Sequence, residues 1–202
     1  MVEAAGLVAY FFYAFASVFI IVNPVEATMV FVSLTPDATS AERARISFRA
    51  AAVAYFVALL FALSGDMVLR FFGATVDSLR VAGGILLFIM AIEMLKAKPR
   101  RKVTAAELAD ASDREDVSVF PLATPLLTGP GAITTVIVLM GSAPGAIEKG
   151  VILLALTATF VATYLILRSS EYVGRILGVT GILVMTRIMG LMLGAIAVNF
   201  VA

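Results

Sequence analysis

The polar positions of this chain are few, and they cluster between long apolar runs. Six regions are apolar enough to be helices in lipid: 4–34, 47–67, 79–95, 117–140, 150–167 and 178–201. A hydrocarbon core of about 30 Å takes about 20 apolar residues per helix. Two regions are interrupted, the first at Asn23-Pro24 and the fourth at Gly129-Pro130. The most polar segment, 96–116, reads as a hydrophilic loop. The pattern predicts an all-α polytopic membrane protein with six transmembrane helices, of which helices 1 and 4 are broken.

Composition supports a lipid environment and excludes several kinds of chemistry. Of 202 residues, 61% are hydrophobic and 14% charged, against about 45–50% and about 25% in soluble domains. A soluble domain of this size cannot hide so much apolar surface. The chain has no Cys and no His. That excludes disulfides, thiolate metal sites and cysteine nucleophiles, and removes the commonest general base and metal ligand. No cofactor or metal is expected. A net charge of +1 points to no polyanionic partner such as nucleic acid. The opening Met-Val-Glu-Ala carries no Lys or Arg, so it reads as part of a retained membrane helix rather than a secretory signal.

The positions of the basic residues give a topology. Arg43, Arg45 and Arg49 follow region one, and six more lie in 96–116. Arg168, Arg175 and Arg187 follow region five. These twelve fall on one side, and only Arg70, Arg80 and Lys149 fall on the other. The positive-inside bias makes the twelve cytoplasmic and puts both termini outside, as in a multi-pass protein of the cell membrane. Arg80 and Arg187 open corresponding helices and read as interfacial anchors or as matched gates.

The two interruptions belong to an internal repeat. Laying 20–28 on 126–134, at an offset of 106, matches Pro24 with Pro130 and Thr28 with Thr134. Arg80-Val81-Ala82-Gly83 lies on Arg187-Ile188-Met189-Gly190 at an offset of 107. The chain therefore divides into a first three-helix repeat (1–95), a cytoplasmic loop (96–116) and a second three-helix repeat (117–202). Three helices are an odd number, so the second repeat is inverted in the membrane, the arrangement of many secondary transporters.

Region one holds 31 residues, about 46 Å as one straight helix and too long for the core. Pro24 lacks an N–H and disfavours helix at Asn23. Gly129-Pro130-Gly131 breaks region four in the same way. Broken helices at membrane depth expose backbone polar groups that lipid cannot satisfy, so they must line a protected site. The second half-helices turn N–H groups and positive dipole ends toward Val25–Ala27 and Gly131–Ile133, which suit a carboxylate. The first half-helices end in carbonyls near Ile21 and Thr128, which suit an ammonium or a cation. The candidate substrate-binding residues are Asn23, Pro24, Val25, Glu26, Ala27, Thr28, Thr128, Gly129, Pro130, Gly131, Ala132 and Thr134. The competing reading is a pair of proline kinks that only tune packing.

Glu26 is the most informative charge. A carboxyl inside an apolar run is able to carry a proton or hold a substrate ammonium. It also sits where a carboxylate would stabilise the start of a half-helix. The sequence leaves both roles open. In the polar loop, Thr104-Ala105-Ala106-Glu107 has the spacing of a capping box. Gly83-Gly84 and Gly190-x-x-x-Gly194 put small residues where two helices could approach closely.

These residues resemble a known family. Asn23-Pro24, the block Pro125 to Thr135, and Arg187-Ile188-Met189-Gly190 with Ala195 to Phe200 look like the MarC family of membrane proteins, over nearly the whole chain. The family includes the SnatA-type neutral amino-acid transporters. The resemblance implies six membrane helices, inverted repeats and uptake of small neutral amino acids such as glycine and alanine with proton coupling. One position departs: the family usually has Gly where this chain has Glu26. A carboxylate there would oppose a substrate carboxylate nearby.

The expected function is a secondary active transporter of small neutral amino acids, working by alternating access, with H+ or Na+ as the candidate coupling ion. The alternative is an exporter or channel for another small solute. An intramembrane enzyme would need a carboxylate pair or a Ser–Lys dyad, and no Lys lies in any predicted core. The chain is therefore not expected to be an enzyme.

Overall fold

The computed structural model describes residues 2–96 and 118–201, with side chains except those of 2–5, 119–121 and 125. The polar loop beyond Lys96, with the Thr104–Glu107 capping pattern, lies outside the described residues. Every described element is helical: α1 (Val2–Val22), α2 (Pro24–Leu34), α3 (Ser40–Phe71), α4 (Val76–Leu95), α5 (Ser118–Leu127), α6 (Pro130–Gly141), α7 (Ala146–Arg168) and α8 (Ser170–Val201).

Five helical stretches among the described residues are long and apolar enough to cross a membrane, counting α1 and α2 as one. The shorter apolar α6, of 12 residues, continues from α5, of 10. Neither reaches across about 30 Å alone. The chain is a polytopic membrane protein. Large apolar side chains such as Phe56, Leu63, Met67 and Phe88 stay exposed, which in this setting is the lipid-facing surface.

Three elements differ from expectation. Helix α3 begins at Ser40 rather than 47, because Thr39 and Glu42 close a capping box ahead of the apolar run. Hydropathy marks the span, whereas capping marks the helix end. Helix α8 begins at Ser170 rather than 178, and Gly178 bends it with φ 59 and ψ −179. Only glycine occupies that backbone region readily. Segment α5 is π-helical rather than α-helical. Pro121 and Pro125 lack the N–H groups that regular α-helical bonding would use.

Small residues set the packing. Ala50, Ala54, Ala58 and Ala62 form a buried stripe on α3 at every fourth position. Helices α4 and α8 pack along their glycines, as expected: a Cβ on Gly190 would sit 2.8 Å from Met94 Cβ and 3.1 Å from the Ala91 carbonyl. The core pairs are α4 with α8 and α3 with α7. Around them, α2 packs on α8 as α6 packs on α4, and α1 on α7 as α5 on α3. Buried hydroxyls turn inward on their own helices, as with Ser17 to Tyr13 O (2.8 Å) and Thr163 to Thr159 O (2.8 Å). Without water, such internal bonds satisfy polar groups that lipid cannot.

Candidate functional site

The first break is one residue long. The Asn23 N–H still donates to Phe19 O at 3.0 Å, which closes α1. Asn23 then takes the left-handed conformation, φ 46 and ψ 61, which asparagine tolerates better than most residues. Its carbonyl accepts from Ala27 N at 3.1 Å, and its Oδ1 accepts from Glu26 N at 3.3 Å. Its Nδ2 donates to Glu26 Oε2 at 2.5 Å. Pro24 opens α2, where a missing N–H loses nothing. Asn23 is thus the cap, and Glu26 holds its side chain from the first turn of α2. Thr28 is buried and donates to Val25 O at 2.6 Å.

The second break is built differently. The Thr128 N–H donates to Ala123 O at 3.0 Å, five residues back, and its hydroxyl crosses to Ala54 O on α3 at 3.0 Å. Gly129 is extended, with φ −81 and ψ 178, and no side chain caps α6. Its carbonyl accepts from Ile133 N at 3.1 Å. Pro130 has no N–H, and those of Gly131 and Ala132 lie in the first turn, where a helix offers no internal acceptor. Helix α4 closes over this point: a Cβ on Gly131 would sit 2.9 Å from Met90 Sδ and 3.3 Å from Leu87 Cδ2. The methyl of Thr134 fills the space left by Gly83.

Asn23, Pro24, Ala27, Thr28, Thr128, Gly131 and Ala132 are buried. Val25, Glu26, Gly129 and Thr134 are half-buried, and Pro130 is exposed. Helix α1 touches α6 and α2 touches α5, so the elements flanking one break contact those flanking the other. Arg80 pairs with Asp77 on its own helix at 3.9 Å, and Arg187 is exposed. Thr186 had no signal in the sequence. Its hydroxyl is buried on α8 with no hydrogen-bond partner among the described residues, which marks it as a further candidate. Arg43, read only as a topological charge, donates to Thr35 O (2.8 Å) and Pro36 O (3.2 Å) and pairs with Glu171.

Known proteins match this chain along most of its length. It is 39% identical over 192 residues to a UPF0056 membrane protein of Methanocaldococcus jannaschii, covering 95% of this chain and 94% of the relative. It is 36% identical to the UPF0056 membrane protein YhcE of Escherichia coli, covering 95% and 89%. For the UPF0056 membrane protein YvbG of Bacillus subtilis the identity is 32%, covering 96% and 92%. None of these names states a substrate. No solved structure matches. Residues 8–202 match the MarC family integral membrane protein profile, and the chain belongs to that family.

Proposed function

We propose that the protein is a secondary active transporter of small neutral amino acids, working by alternating access in the cell membrane with both termini outside. The observation that carries this reading is the pair of helix breaks, at Asn23 and at Gly129, in elements that touch one another. Interrupted helices at membrane depth are the usual construction of a transporter site. The packing supports an inverted repeat, since exchanging α1–α4 for α5–α8 maps the principal contacts onto one another.

The breaks divide the work by charge. Glu26 already compensates the positive end of α2, while the first turn of α6 has no side-chain cap. The substrate carboxylate therefore goes to the Gly131 and Ala132 N–H groups. The ammonium goes toward Glu26 and the carbonyls ending α1. This placement removes the conflict between Glu26 and a substrate carboxylate. Glu26 is the carboxyl that takes up and releases the coupling proton. The protein carries solute and has no catalytic chemistry.

Purified protein in liposomes tests the reading. A carrier gives saturable uptake of glycine or alanine and counterflow exchange. Non-saturating flux makes it a channel. No uptake, together with no thermal stabilisation by any of the twenty amino acids, removes the substrate assignment.

A further inference from the structure

The groups not used above include a basic cavity where α3, α7 and α8 meet. It measures about 280 Å³, and Ser40, Arg43, Arg168, Ser170, Glu171 and Arg175 line it. Arg43 is only 13% exposed and is paired with Glu171. Arg168 donates to Tyr164 Oη at 3.0 Å, a neutral partner. Arg175 stands exposed at the rim. Among the described residues, three guanidinium groups and one carboxylate line the cavity, so it favours an anion, and guanidinium forks match phosphate oxygens.

Depth and a second feature identify the anion. Arg168 ends a 23-residue apolar helix about 34 Å long, which places the cavity at headgroup level. Directly along the same two helices runs an apolar groove of about 260 Å³, lined by residues that include Phe48, Ala52, Tyr55, Thr157, Phe160 and Tyr164. Tyr164 joins the two: its hydroxyl receives Arg168, and its ring meets Phe48 edge-on at 5.8 Å. From Phe48 to Tyr55 the groove follows α3 for about 10 Å, two-thirds of one leaflet of a core of about 30 Å. A free phosphate would use the cavity and leave the groove without an occupant.

We propose that the α3–α7 seam binds one anionic phospholipid, its phosphate in the arginine cavity and one acyl chain in the groove. The site lies on the face that the basic-residue count assigns to the cytoplasm, where anionic headgroups attract such clusters. The phosphate sits beside the Arg43–Glu171 pair, which ties the start of α3 to the start of α8.

Native mass spectrometry of the full chain in mild detergent tests this. The probes are phosphatidylglycerol and phosphatidylcholine of identical chains, with inorganic phosphate as competitor. One phosphatidylglycerol is retained per chain under conditions that strip phosphatidylcholine. The double substitution Arg168→Gln with Arg175→Gln weakens retention by about fivefold per arginine. Ala52→Trp, at an exposed groove position, weakens it with both arginines present and with no core residue disturbed. Equal retention of the two lipids overturns the proposal. So does displacement by millimolar inorganic phosphate, which makes the cavity a site for free phosphate, or unchanged retention in the Ala52→Trp protein, which leaves the groove without an acyl chain. If the double variant fails to fold, the lipid comparison and Ala52→Trp decide the matter.

Discussion

The two breaks occupy matching places in the two halves, yet they are held by opposite means. At the first, Asn23 bends the chain through the left-handed region, and its side chain and Glu26 satisfy the start of α2 between them. At the second, Gly129 is extended, α6 has no side-chain cap, and the anchor is a tertiary bond from Thr128 to Ala54 on α3. One break is closed locally and carries its own negative charge. The other is held by its neighbours, and no side chain caps α6. On the proposed function, the two segments that align on a shared proline divide the recognition of a zwitterion between them.

The strongest test of this division is Glu26→Gln. The amide oxygen can still accept from Asn23 Nδ2, so the cap survives while the charge is lost. Proton-driven uptake in liposomes is expected to be abolished, with stability changed by no more than about 1 kcal/mol. Unchanged pH-dependent uptake would confine Glu26 to capping and would make the breaks functionally alike.

Asn23→Ala comes next. It loses the cap, about 1 kcal/mol, and places a less tolerant residue in the left-handed region, about 1 kcal/mol more. Thermal unfolding in detergent should show both losses. Asn23→Gly recovers roughly half, because glycine accepts φ 46 without strain. Equal losses for the two variants would mean that the backbone conformation at this break carries no cost.

Thr128→Val removes the bond to Ala54 and should cost about 1 kcal/mol, as interhelical hydrogen bonds in membranes do. No loss in the same unfolding assay would show that packing alone holds the second break. The smallest effect is expected from Gly129→Ser, whose φ of −81 suits any residue. A serine cap should stabilise α6 by about 0.5 kcal/mol. It should also reduce the stabilisation by added glycine or alanine, because it competes for the N–H groups assigned to the carboxylate. Undiminished stabilisation by the amino acid would remove α6 from the site.

Both breaks were legible in the sequence because proline acts locally: it removes a donor and restricts the residue before it. The glycines of α4 and α8 were legible as a close contact for a similar reason, since absent side chains leave room for a neighbouring backbone. The π-helical winding of α5 was not legible, because hydropathy marks an apolar run and not how tightly it winds. The buried Thr186 hydroxyl, the Arg43 contacts with Thr35, Pro36 and Glu171, and the cavity at Arg168 had no local signal. The Arg43–Glu171 pair and the cavity depend on residues distant in the chain.

The sequence by itself determined that this is an all-helical membrane protein, where its helices break and which family it resembles. Those properties follow from apolar run length and from what proline and glycine do to their own backbone. Only the tertiary structure decided that the second break hangs from Ala54 on α3, while local geometry chose between the two roles the sequence left open for the start of α2. Hydropathy records what a segment tolerates as solvent, whereas the bond from the Thr128 hydroxyl to Ala54 O requires α3 to bring one carbonyl within 3.0 Å of a residue 74 positions away, and only the packed helices set that distance.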